Sequence, residues 1–116
     1  MDIKQDDRGY LTELLSSDDI HIGISTIKPL YTRGQHYHKK KKERIILFTG
    51  IYKVTLYNVK TLEIKSLEIK GPEELIIEPY IQHEFTNIGN TEGVIIFMQD
   101  CKYDRVNPDT YSVENF

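Results

Sequence analysis

Turn signals interrupt this chain every few residues, and that habit decides most of what it can fold into. Lys28-Pro29, Arg33-Gly34, Thr49-Gly50, Asn58, Gly71-Pro72, Asn87-Ile88-Gly89-Asn90 and Asn107-Pro108-Asp109 punctuate the sequence. Each supplies a fixed φ, a tolerated positive φ or a side chain that closes its own turn. Between them lie short alternating or apolar runs at 10–15, 20–27, 44–48, 52–57, 62–69, 75–77, 84–86 and 94–98. Runs this short suit strands rather than helices. Alanine and tryptophan are absent while Ile, Lys and Tyr abound, a composition poor for helix and good for strand. The pattern predicts an all-β sandwich or barrel, with one weak helical turn at 16–19 and no repeat or linker.

The 116 residues allow a single domain, 1–116, that buries about two thirds of its unfolded surface. A net charge of -3 and a pI near 5.8 give no basic field for nucleic acid. No apolar run approaches the roughly 20 residues that cross a bilayer. Residues 1–8 are too polar for a signal peptide, so the expected location is cytoplasmic. Cys101 is the only cysteine; it forms no internal disulfide, as suits a reducing compartment, and is read as structural.

Ile45 and Leu47 face Tyr52, Val54 and Leu56 as two core rows, with Lys53, Thr55 and Tyr57 on the other face. A small barrel closed by such rows holds ligands in its mouth. His36, His38, Glu43 and Gly50 read H-x-H-x4-E-x6-G, and His83 and Asn87 follow. Strand residues i and i+2 share a face, so His36 and His38 sit roughly 6 to 7 Å apart, within reach of one ion. The lysines at 39–42 read as a solvated hairpin tip whose functional use would be steering an anion. Glu43 then opens the next antiparallel strand and returns towards the same cavity, while His83 arrives from a distant strand. Imidazole and carboxylate suit zinc, iron, nickel or manganese, and the single thiol argues against a thiolate site. The fourth histidine, His21, lies opposite the isoleucine face of Ile20-His21-Ile22-Gly23-Ile24 and is expected to be exposed.

These residues resemble the cupin superfamily: Gly34-Gln35-His36-Tyr37-His38 with Glu43 and Gly50 as its first motif, and Glu78-Pro79-Tyr80-Ile81-Gln82-His83-Glu84-Phe85-Thr86-Asn87 as its second. The resemblance implies one double-stranded β-helix or jelly-roll barrel in which His36, His38, Glu43 and His83 ligate a divalent metal, with zinc the preferred ion. The usual glycine after the proline of the second motif is replaced by Tyr80 or Ile81, and the usual first proline by Glu78, which predicts a differently shaped loop. Three further stretches narrow the match: Asp7-Arg8-Gly9-Tyr10-Leu11-Thr12-Glu13, Thr32-Arg33-Gly34-Gln35-His36-Tyr37-His38, and Tyr103-Asp104 with Asn107-Pro108-Asp109-Thr110-Tyr111. Together they are similar to the C-terminal cupin (epimerase) domain of capsular polysaccharide UDP-sugar epimerase/reductases. A weaker likeness extends to the dTDP-sugar 3,4-ketoisomerases and the dTDP-4-dehydrorhamnose 3,5-epimerases.

That resemblance implies an epimerase or isomerase of an NDP-4-keto-6-deoxy sugar, working as a homodimer, with reduction left to a separate reductase. Proton abstraction beside the ketone needs a base that is not a tight ligand. Tyr37, Tyr52, Tyr57 and Glu84 are candidates in a metal site; in a metal-free one, His36 or His38 would serve opposite a tyrosine. Arg8 and Arg33 match a diphosphate through paired guanidinium donors, or are surface arginines beside turn glycines. Glu13 orients a base or pairs with a lysine. Two other classes fit the same ligand set: a non-catalytic metal- or sugar-binding cupin module, and a metal-dependent dioxygenase.

Overall fold

Among the described residues, ten strands make up the regular structure: β1 (Ile3–Asp6), β2 (Gly9–Ser16), β3 (His21–Ile27), β4 (Thr32–His36), β5 (Glu43–Thr49), β6 (Ile51–Asn58), β7 (Ile64–Lys70), β8 (Glu73–Ile77), β9 (Ile81–Asn87) and β10 (Gly93–Gln99). They come from a computed structural model that describes residues 2–101, 104 and 106–113; Tyr103 of the closing motif lies outside them. Each apolar run marks a strand. β1 was silent in the pattern because all four of its residues are exposed, and β4 because Gly34 breaks its alternation. The helical turn expected at 16–19 is instead a tight bend in which Ser17 N donates to Ile20 O at 2.9 Å.

The strands form two sheets, one ordered β1-β2-β3-β10-β5-β8 and the other β4-β9-β6-β7, with every strand pair antiparallel. This is the all-β barrel the pattern predicts, in the jelly-roll form that the cupin resemblance implies. Ile27, Ile45, Leu47, Tyr52, Val54, Ile77, Phe85 and Ile95 pack between the sheets as its core. The two facing rows read from the sequence, Ile45 with Leu47 and Tyr52 with Val54, lie within it. Each such side chain contributes about 1.5–3 kcal/mol by leaving water. The inward row then changes character along β5 and β10, from Leu47 and Ile95 to Glu43 and Gln99, so one end of the barrel is dry and the other polar.

Two expectations need correction. β4 and β5 belong to different sheets, so residues 39–42 cross between sheets rather than cap a hairpin, and Lys41 is buried. His21 is buried too, because β3 turns His21, Gly23, Ser25 and Ile27 inward and leaves Ile22 and Ile24 half-buried on the other face. Gly23 makes that possible: a Cβ there would lie 2.1 Å from the Phe97 ring, which packs over it from β10.

Leu62, 66% exposed, carries φ 67° in the β6–β7 turn. A non-glycine residue there costs about 1–2 kcal/mol, partly offset in a glycine variant by the larger entropy of its unfolded chain. Leu62→Gly should therefore raise stability by roughly 0.5 kcal/mol, seen as a higher Tm by calorimetry.

Candidate metal centre

The centre begins with an irregularity in β4. Arg33 pairs with Phe85 and Gly34 with Glu84, but the ladder then slips, so that His36 rather than Gln35 stands opposite His83. Gly34 (φ 97°) and Gln35 (φ 65°) take up the extra residue as a β-bulge. The slip reverses the alternation, so Arg33 and His36, three residues apart, both face the barrel interior.

His38 lies beyond the end of β4 and is fixed from three sides. Its carbonyl accepts from Tyr80 N at 2.7 Å, its Nδ1 donates to Asp109 O at 2.7 Å, and Tyr37 between the two histidines forms a bridge with Tyr111. Tyr80 holds φ 68°, so loss of the family's usual glycine has not removed a left-handed turn at that position. The Asp109 carboxylate accepts the backbone N–H groups of Lys39, Lys40 and Lys41 at 2.9, 2.9 and 3.1 Å, which ties the C-terminal segment to the crossover that carries Glu43. Burial raises the Asp109 carboxyl pKa, but these three donors more than offset it and hold it below the usual range. Nothing in the local pattern marked Asp109 for this; its place after Asn107-Pro108 signalled a turn, and the closing stretch that resembles the family gave it no role.

His36, His38, Glu43 and His83 converge with their ligand atoms within 4.8 Å of one another. All three Nδ1 atoms face main-chain carbonyls: His36 on Gly34 (3.2 Å), His38 on Asp109 (2.7 Å) and His83 on Ile81 (3.1 Å). A carbonyl can only accept, so each Nδ1 carries the proton and each Nε2 of a neutral ring presents a lone pair. Those three lone pairs surround Glu43 Oε1 at 2.5 Å (His38), 3.3 Å (His83) and 3.8 Å (His36). Lone pairs facing a carboxylate repel. Protonating all three rings is a poor remedy, since their centroids are 4.7–5.9 Å apart and each like-charge pair would cost about 3 kcal/mol at an effective dielectric near 20. One divalent cation removes the conflict, so these residues fit a metal.

Exposure within the cluster is uneven. The side chains of His38, Glu43 and His83 are 3% exposed or less, whereas His36 is 31% exposed. It faces a cavity of about 240 Å³ whose lining also includes Glu43, His83, Arg8, Arg33 and Gln99. Arg33 donates from Nε to Thr26 O and from Nη2 to Tyr10 O, while Arg8 grips Asp6 Oδ2 through Nε and Nη2. The side chain and backbone N–H of Arg8 lower the Asp6 pKa to about 2. Burial, followed by the nearby Arg8, lowers that of Arg33.

The other expected residues fall elsewhere. Tyr52 is wholly buried with its hydroxyl on Thr49 O at 2.8 Å, at the opposite end of β5 from Glu43, and burial raises its pKa to about 12. Tyr37 packs against Tyr80 and Tyr111. Tyr37, Tyr52, Tyr57 and Glu84 are all absent from the cavity lining. Glu13 meets His21, with Oε2 3.2 Å from Nδ1. Gly50 closes the β5–β6 turn at φ 111°, and Asn87 pins the dry end through Ile27 O and Thr91 O. Sequence reasoning missed Gln99 and Lys41, both buried at the polar end.

Because the Asp109 carboxylate fixes the backbone between two ligands, Asp109→Ala should weaken metal binding about 10-fold, at the low end of what outer-shell partners contribute. Competition with a chelating indicator measures it.

A family model described as the polysaccharide biosynthesis C-terminal domain matches residues 4–111. A curated relative, UDP-2-acetamido-2,6-beta-L-arabino-hexul-4-ose reductase of Pseudomonas aeruginosa, is 32% identical over 110 residues, covering 92% of this chain and 30% of its own length. The solved structure of the capsular polysaccharide assembling protein CapF from Staphylococcus aureus aligns with TM-score 0.89 and 28% identity, over 97% of this chain and 34% of that one. Lactobacillus farciminis oxalate decarboxylase aligns with TM-score 0.80 at 19% identity, over 97% of this chain and 33% of that one, a likeness of fold alone. This chain thus spans about a third of the length of the relatives it matches. No helix among the described residues is long and apolar enough to cross a membrane.

Proposed function

The chain belongs to the polysaccharide biosynthesis C-terminal domain family, and from that premise we propose that it epimerises or isomerises an NDP-4-keto-6-deoxy sugar beside the ketone. The observation that carries the reading is the convergence of three Nε2 lone pairs and Glu43 on the floor of a cavity walled by two arginines. The names of the relatives, a UDP-sugar reductase and a capsular polysaccharide assembling protein, support the substrate class.

A divalent ion, zinc by the His-His-carboxylate donor set with one open position, would be held by His38, Glu43 and His83 and would supply Lewis-acid polarisation of a carbonyl oxygen. His36 is the proton-transfer group. It is the most exposed of the four residues and the farthest from Glu43 Oε1, and its Nε2 lone pair is available once Nδ1 is committed to Gly34 O. The C–H bond beside the ketone breaks towards His36 Nε2, its electron pair becomes the C=C bond of an enolate and the carbonyl π pair moves onto oxygen; a solvent proton added to the other face of the same carbon completes epimerisation, or the His36 proton passed to the former carbonyl carbon, with the neighbouring hydroxyl proton moving to the former carbonyl oxygen, completes isomerisation.

Arg8 and Arg33 bind the diphosphate. Two guanidinium groups share one nearby carboxylate, Asp6, which leaves a net positive wall. Arg33 is fixed by the two carbonyls it serves, so it meets the anion without first losing side-chain freedom. A homodimer and a separate source of reduction belong to the same proposal.

The test is incubation of the metal-loaded chain with UDP- and dTDP-4-keto-6-deoxy sugars in heavy water, read by NMR. Deuterium at a carbon flanking the ketone is the expected result, and its position names the reaction. No uptake with any such sugar would leave a binding module as the better reading.

A further inference from the structure

Gln99 ends β10 and pairs with Glu43 across one ladder and with His21 across the other. Neighbouring strands therefore put its backbone about 5 Å from that of Glu43. Its side chain is buried and lines the cavity. The buried Lys41 donates from Nζ to Gln99 Oε1 at 3.1 Å. An ammonium has donors only, so the atom facing it must be the amide oxygen, and the amide NH2 is turned the other way. Among the described residues, Gln99 Nε2 has no hydrogen-bond partner and is not one of the sealed, unsatisfied atoms, so it keeps some accessible surface; Gln99 borders this cavity and a second hollow beyond Glu43, and the cavity is the one that also holds His36 and His83. A fixed donor beside the carboxylate of the metal cluster suits an oxygen that gains charge during reaction, because it needs no reorganisation when the charge appears.

We propose that Gln99 donates a hydrogen bond from its side-chain amide to the substrate oxygen that becomes the enolate, and that Lys41 is the positioning residue that sets the amide's direction. This rests on the keto-sugar reading above, and the two fail differently. Gln99→Leu should lower the deuterium-exchange rate at saturating sugar by about 100-fold, with KM and metal content little changed. Lys41→Met should lower that rate by a smaller factor, again without a matching rise in KM.

A readout independent of turnover is the Gln99 side-chain amide signal in proton–nitrogen NMR. It should move when sugar is added to the wild type and move less in Lys41→Met. Wild-type exchange rates in both variants, or an amide signal that sugar leaves in place, overturn the proposal. Should Gln99→Leu lose its fold or its metal, the Lys41→Met rates and the amide shift decide it. A wild-type chain that exchanges no keto sugar sinks the epimerase reading, and the amide shift with that sugar as a bare ligand still decides the role of Gln99.

Discussion

His38→Ala will fold and lose most of its bound metal. His38 lies outside the strands and makes no part of the apolar core, so the barrel survives the substitution. Glu43 Oε1 loses its shortest contact, 2.5 Å from His38 Nε2. Outer-shell changes alone weaken metal sites 10–100-fold, so removal of a ligand should cost at least about 100-fold on that scale, and exchange activity should vanish with the metal.

His36→Ala should behave differently. His36 stands farthest from Glu43 Oε1 and half-open to the cavity. Its loss should leave most of the metal bound while abolishing proton exchange. Elemental analysis beside a circular-dichroism melt separates the two. Full metal content in His38→Ala, or equal metal loss in both variants, would refute the division of labour proposed here.

Gly34→Ala should be the most damaging single change of one methyl group. Its φ of 97° lies where side chains are strained, and a Cβ there would meet His83 O at 2.6 Å and Glu84 Cα at 3.2 Å. Both atoms are backbone of the paired strand and cannot rotate away. Positive-φ strain of about 1–2 kcal/mol and overpacking of about 1–3 kcal/mol together predict a loss of roughly 3 kcal/mol, or about 10–20 °C in Tm for a domain of this size.

The same residue permits the bulge that turns both Arg33 and His36 inward. Any Gly34→Ala protein that does fold should therefore also bind metal and nucleotide sugar more weakly. Calorimetry and metal titration check this, and wild-type Tm would show that the bulge does not depend on the glycine.

How much of the site could be read in advance varies by residue. The pair His36 and His38 was legible because i, i+2 alternation is local, and Glu43 was legible as the start of the next strand although the residues before it cross between sheets instead of capping a hairpin. His83 was legible only through the resemblance of its motif, since no local rule says which distant strand it will face. Tyr52 misled because an aromatic on an alternating strand gives no sign of which end of the barrel it occupies. His21 misled for a related reason: alternation shows that two faces differ, but not which one turns inward. There the ring of Phe97 over Gly23 settled the matter.

By itself the sequence determined the strand-only architecture, the dry core rows and the chemistry of the ligand set, because periodicity, turn residues and donor type act within a few residues of chain. Only the tertiary structure decided that β4 and β5 lie in different sheets, that a bulge brings Arg33 and His36 to one cavity, and that Asp109, Lys41 and Gln99 brace it. Those facts depend on which strands share hydrogen bonds and in what register, and a one-residue slip reverses every side chain beyond it.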